Sequence, residues 1–189
     1  MKRTVVAFGD SNTRYWRGDL GEPGPLSEAW PARLEERLPH TRVVNAGWPG
    51  GRMSDARETF LDRTAGADLT ILAFGTNDIK LPGASLEDYL GGLEDILKQN
   101  SGRPLLVLPI LWFGCGYGFA GAQARLPVWN AGLSTLCGRY GVPVWDTAPQ
   151  FAEQEALFND DPPHHLNAEG QARMARWVYE GLKKLRMEE

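Results

Sequence analysis

Four short stretches carry groups that can cooperate in nucleophilic chemistry. The first is Gly9-Asp10-Ser11-Asn12, directly after the apolar residues 5–8. A serine on such a turn can aim its hydroxyl at a cleft, and a helix starting there adds a positive dipole. Ser11 and Asn12 suit a simple turn equally well. The second is Asn45-Ala46-Gly47. Glycine lets the backbone approach a ligand closely and offer its N–H, though it also serves plain turns. The third is Gly75-Thr76-Asn77-Asp78. A side-chain amide there can donate to a developing oxyanion, or Asn77 and Asp78 can cap the chain. The fourth is Asp160-Asp161-Pro162-Pro163-His164-His165-Leu166-Asn167. A histidine in that loop can act as general base, oriented by a carboxylate just upstream. Asp and His are also metal ligands. No third or fourth ligand has a convincing spacing, so no metal is expected. His164 and His165, being adjacent, would tend to point apart. The isolated His40 reads as an ordinary surface or core residue.

These stretches need a scaffold that brings distant residues together. Apolar runs at residues 5–8, 42–46, 68–74, 105–110 and 142–145 alternate with helical patterns. The helices are expected at about 27–38, 53–64, 85–99, 127–140 and 168–185. Trp30, Leu34 and Leu38 recur every four residues in the first, which is helical spacing. Ser85 is placed as an N-cap, while Gly91-Gly92 weakens the helix it opens. The runs are nearly all apolar rather than alternating, as in strands covered on both faces. The alternation predicts a three-layer α/β/α sandwich around a central five-stranded parallel sheet. In such sheets ligands bind beyond the carboxyl ends of the strands. All four stretches fall there.

Composition bounds the rest. The chain has 189 residues, 42% hydrophobic and 23% charged, as expected of one ordinary globular domain covering residues 1–189. A net charge of -4 leaves no electrostatic footprint for nucleic acid or an anionic membrane. No stretch approaches the roughly 20 apolar residues of a membrane span. The apolar residues near the N-terminus read as a strand, not a secretory segment. Cys115 and Cys137 lack CxxC or zinc-ligand spacing. They read as free thiols, and a cytoplasmic location is expected. There is no G-x-S-x-G elbow and no G-x-x-x-x-G-K-[ST] loop, which speaks against an α/β-hydrolase and a phosphate-binding P-loop.

In combination the motifs are far more specific. Phe8-Gly9-Asp10-Ser11-Asn12-Thr13, Asn45-Ala46-Gly47, Gly75-Thr76-Asn77-Asp78 and His165-Leu166-Asn167-Ala168-Glu169-Gly170 stand in one order. Together they resemble the SGNH (GDSL-type) hydrolase family, from residue 5 to about 180. Asn130 and the stretch Gly141-Val142-Pro143-Val144-Trp145-Asp146 are similar to the family's region before the last loop. The resemblance implies a flavodoxin-like fold and the activity of an esterase, acetylesterase, thioesterase or lysophospholipase, without a cofactor. It implies Ser11 as nucleophile and His165 as base. The Ser11 and Gly47 N–H groups and the Asn77 side chain would form the oxyanion hole. One position departs from the family pattern, in which an Asp lies three residues before the catalytic His. Position 162 is proline. Asp161 is assigned to orient His165, with Asp160 or a backbone carbonyl as alternatives; His164 has the spacing to Asp161 but not the downstream context.

Trp16, Trp48 and Trp112 fall on the carboxyl-edge loops and are assigned to substrate binding, with Tyr15, Phe113, Tyr117 and Phe119 nearby. Such rings can line an acyl pocket or stack on sugar, or simply cover the core edge. Trp30, Trp145 and Trp177 lie on elements and are assigned to packing. The expected partner is a small ester, an acetyl group above all, with homo-oligomerisation left open. A catalytically inactive carbohydrate-binding module on the same scaffold is the non-enzymatic alternative.

Overall fold

The computed structural model describes residues 2–81, 83, 85–111, 120–160 and 163–188. The chain opens with β1 (Arg3–Gly9), a four-residue helix α1 (Ser11–Arg14) and a small hairpin, β2 (Trp16–Arg17) and β3 (Glu22–Pro23). Then come α2 (Trp30–Glu35), β4 (Thr41–Asn45), α3 (Met53–Arg63), β5 (Leu69–Ala73) and α4 (Thr76–Lys80). The remainder is α5 (Leu86–Asn100), β6 (Leu105–Val107), α6 (Ala120–Arg139) and α7 (Ala168–Leu185).

The main sheet is parallel, in the order β4-β1-β5-β6. It has four strands where five were expected. The fifth run, Val142 to Trp145, makes only an isolated parallel bridge, Val107 to Val144. Val107 N–H donates to Pro143 O and Trp145 N–H donates to Val107 O. Pro143 has no N–H to extend that ladder, which is why the run stays an edge bridge.

Side chains of β1 alternate between two cores. Val6 and Phe8 join a cluster with Ala56 and Phe60 of α3, Leu93 and Ile96 of α5, and Trp129 and Leu133 of α6. Val5 and Ala7 face the other way, onto Trp30 and Leu34 of α2 and Val178 and Leu182 of α7. A strand covered on both sides reads as a continuous apolar run. Gln171 of α7 ties three elements at once. Its Oε1 accepts from Trp30 N–H and its Nε2 donates to Asn12 O. Trp145 and Trp177 pack with ring centroids 5.1 Å apart.

Helix boundaries differ from the sequence pattern in two places. The first helix is split into a 3-10 turn, Leu26–Glu28, and α2, with Pro31 in its first turn. The helix expected to open at Pro127 starts at Ala120 and carries Pro127 inside it. Proline favours the first turn of helices, so it reads as a start when it lies within one. No helix among the described residues is long and apolar enough to cross a membrane.

Candidate active site

The carboxyl ends of β1, β4 and β5 deliver three of the four stretches to one edge. At the end of β1, Asp10 caps α1, its carboxylate accepting from Asn12 N–H at 2.9 Å. Ser11 is the first residue of that helix and only 4% exposed. Tyr15 closes the turn at φ 65.

The fourth stretch meets Ser11 from the other end of the chain. His165 Nε2 lies 3.1 Å from Ser11 Oγ. Its Nδ1 lies 2.6 Å from Asp160 Oδ2. An ionised carboxylate only accepts hydrogen bonds. That assigns the imidazole proton to Nδ1 and leaves the Nε2 lone pair facing the serine hydroxyl. The carboxylate on the base is therefore Asp160, the alternative to Asp161 in the sequence; Asp161 itself lies outside the described residues. The two histidine rings do not point apart. Their centroids are 4.0 Å from each other, because the loop closes around Asp160 and brings both Nδ1 atoms to one oxygen.

Two residues that sequence reasoning passed over hold this loop. Asn12 Nδ2 donates to His164 O, and Leu166 N–H donates to Asn12 Oδ1. The residue after the serine thus sets the height of the histidine. Asn159 Oδ1 accepts from Gly18 N–H while its Nδ2 donates to Trp16 O, clamping the β2–β3 hairpin onto the loop. A Cβ on Gly18 would overlap Asp160 Oδ2 and come within 2.6 Å of His165 Nδ1. Glycine is what allows the hairpin to close over that hydrogen bond. The legible signal for both asparagines was polarity next to apolar runs, which is too common to single them out.

Gly47 approaches the serine turn backbone to backbone. A Cβ there would lie 2.5 Å from Arg14 N and 2.9 Å from Asp10 O. Its N–H donates to Asn45 Oδ1 at 3.0 Å, and Asn45 Nδ2 donates to Thr13 O. Asn77, the second residue of α4, donates from Nδ2 to Gly51 O at 2.9 Å. Its amide has a second N–H. Asp78 takes the capping part of the sequence's alternatives: both its oxygens accept from Met53 N–H at the start of α3.

Electrostatics at this edge are set by burial. Burial pushes the Asp10 carboxyl above its ordinary value, against the Asn12 hydrogen bond and the Lys80 and His165 charges. Burial also pushes Asp78 up to about 6, again against its backbone hydrogen bonds. The Lys80 ammonium is lowered by burial, while Asp10 and Asp160 pull it the other way. For Asp160, burial raises the value, but hydrogen bonds from the His165 ring and from the backbone of His165 and His164 outweigh it. Its carboxyl is held below the ordinary range.

The aromatic residues divide. Trp48 packs against Phe8 and Phe74, with ring centroids 5.5 and 5.0 Å away, and Arg63 lies 4.8 Å over its ring. The ring is half-buried in these contacts. Trp16 is half-buried on the hairpin, and Tyr15 is buried. Trp112, Phe113, Tyr117 and Phe119 lie outside the described residues, as does Cys115. A small pocket of about 30 Å³ lies behind Asp10 and Asn12, lined also by Thr147 and Met174. It has room for a water but not for an acyl chain. Asp160, His164 and His165 are the group among the described residues whose donor atoms lie close enough to share a cation. His165 Nδ1 is already hydrogen-bonded to Asp160 Oδ2, and His164 Nδ1 lies 3.0 Å from the same oxygen.

Comparison with known proteins gives the family and the fold. The model of the GDSL-like Lipase/Acylhydrolase family matches residues 7–173. Comparison with curated proteins gave no match. Among solved structures, a lipase/acylhydrolase from Enterococcus faecalis superposes with a TM-score of 0.82 at 17% identity, covering 97% of this chain and 96% of its own. A carbohydrate acetylesterase family member from Sinorhizobium meliloti gives 0.74 at 20% identity, covering 97% and 98%. A catalytic mutant of an acetylxylan esterase from Geobacillus stearothermophilus gives 0.75 at 16% identity, covering 95% of each chain. At these identities the structural matches speak for the fold, and the family model speaks for descent. The chain belongs to the GDSL-like lipase/acylhydrolase family and is a carboxylic ester hydrolase.

Proposed function

We propose that the chain is a serine esterase that hydrolyses short acyl esters, acetyl above all, through an acyl-serine intermediate. The observation that carries this reading is the continuous contact from Ser11 Oγ to His165 Nε2 at 3.1 Å and from His165 Nδ1 to Asp160 Oδ2 at 2.6 Å. His165 takes the Ser11 proton as Oγ forms a bond to the ester carbonyl carbon. The carbonyl oxygen becomes an oxyanion, met by the Ser11 and Gly47 N–H groups and by Asn77 Nδ2. The oxyanion draws the Gly47 N–H away from Asn45 Oδ1, or shares it in a three-centre bond. Collapse expels the alcohol, which takes its proton from His165. Water then adds to the acyl-serine with His165 again as base, and the acid leaves as Ser11 regains its proton.

What favours a small acyl group is that two structural relatives carry acetylesterase names. Simple aryl or alkyl esters and acetylated carbohydrate are the substrate classes that fit. The test is a panel of p-nitrophenyl esters from acetyl to decanoyl, with acetylated sugars beside it. We expect kcat/KM to fall steeply beyond butyryl and Ser11→Ala to be inactive. A maximum at decanoyl would overturn the short-acyl reading. A fully active Ser11→Ala, or no fluorophosphonate adduct on Ser11, would overturn the mechanism.

A further inference from the structure

The geometry assigns His164 a role as positioning residue: its imidazole holds the carboxylate of Asp160 in place for His165. The assignment rests on the esterase reading above. Asp160 is almost enclosed by two consecutive residues. Its Oδ1 accepts the backbone N–H groups of His164 and His165 at 2.9 and 3.0 Å. Its Oδ2 lies 3.0 Å from His164 Nδ1 and 2.6 Å from His165 Nδ1. A carboxylate offers about four lone-pair positions. Three hydrogen bonds occupy them, from both backbone N–H groups and His165 Nδ1, and His164 Nδ1 stands 3.0 Å from Oδ2 at the fourth.

The two imidazoles have different tasks. His165 moves a proton to and from Ser11, so its ring changes charge during each turnover. His164 faces the same oxygen from the other side and touches no reacting atom. Its Nδ1–H is a stationary donor that fixes the plane of the carboxylate while the His165 ring gains and loses charge. The side chain has the rigidity for this. Its exposure is 17%, its ring packs on His165, and its carbonyl accepts from Asn12 Nδ2. Asp160 sits five residues before His165, and position 162 is proline. That is two residues more than the family pattern, and the second imidazole adds a restraint on the more distant carboxylate.

The test compares wild type with His164→Leu, which has no donor, and His164→Asn, whose Nδ2–H can occupy the place of Nδ1–H. For His164→Leu we expect kcat to fall about 10-fold with KM little changed, on the scale of other partners that orient a functional histidine. The acid limb of its pH profile should also shift. His164→Asn should restore both. His164→Ala serves as a second donor-free variant if the leucine side chain does not pack. The downfield proton resonance of His165 Nδ1 against Asp160 gives a readout that needs no substrate. It should move in the donor-free variants and return in His164→Asn. A donor-free variant with wild-type kcat, pH profile and resonance overturns the assignment. If the wild type hydrolyses no ester in the panel, the esterase reading fails, and the resonance still decides for or against the His164 contact.

Discussion

In the proposed mechanism Ser11, His165 and Asp160 set out the reaction axis, and the groups around them show how unequal neighbouring residues can be. Asn77 and Asp78 are adjacent, yet one is the proposed oxyanion donor, bonded to Gly51 O, and the other caps α3 through Met53 N–H. Asn77→Ala should lower kcat by about 10²–10³, the cost of one oxyanion donor. Its thermal midpoint should stay near wild type, since the lost contact is a single bond to Gly51 O. Asp78 acts on stability instead. Its pKa is raised by burial from 3.8 to about 6. The folded state therefore holds the proton more tightly than the unfolded chain. Stability from this group is fully present below about pH 4, is lost as pH rises through about 6, and changes no further above that. The full span is on the order of 3 kcal/mol. Asp78→Asn keeps an acceptor for Met53 N–H without the charge. Denaturation midpoints from pH 4 to 7 should show the variant gaining on wild type as pH rises; a constant difference would refute the linkage.

The element that lies against the Asp160–His165 pair is the β2–β3 hairpin. It is only two residues per strand, closed by the Arg17–Glu22 ion pair and clamped by Asn159. No periodicity betrays so short a hairpin, and Gly18 looks like any turn glycine in the sequence. Its meaning is steric. Gly18→Ala forces either the hairpin or the Asp160–His165 pair to move. A displacement of about 1 Å near a reacting group can cost about 10²-fold, so kcat should fall by that order. Leu20→Ala, on the same hairpin but 59% exposed, should leave kcat unchanged. Equal rates in the two variants would show that the hairpin does not seal the pair. The same limit explains α1 and α4, which are four and five residues long. Elements of that length bury too little to leave a repeat in the sequence, so they read as turns.

Across the whole molecule, what was legible is what the hydrophobic pattern dictates. The buried runs of β1, β4, β5 and β6 and the amphipathic α5 and α7 follow from periodicity, and they place the four motifs on one edge. The fifth strand was misread because an apolar run does not reveal whether its backbone can pair, and Pro143 cannot. Asp160 was overshadowed by Asp161 because spacing along a loop does not report how the loop folds back. Six residues from Asp160 to His165 carry two prolines, and it is the more distant carboxylate that meets the ring. Trp48 lies on the same edge, half-buried against Phe8 and Phe74, a contact that no periodicity reports.

The contact between Ser11 and His165 joins residues 154 positions apart, which makes chemical competence a clock for the order of assembly. Pairing β1 with β4 and β5 and packing Trp129 need only parts of the chain. Reactivity of Ser11 needs α7 docked through Gln171 and the loop seated on Asn12 as well. Long-range closure of this kind is slow to form. On refolding from denaturant, tryptophan fluorescence should recover no later than fluorophosphonate labelling of Ser11, and labelling should track the last phase. Labelling that runs ahead of the fluorescence change would mean that the two ends of the chain meet before the sheet between them is built.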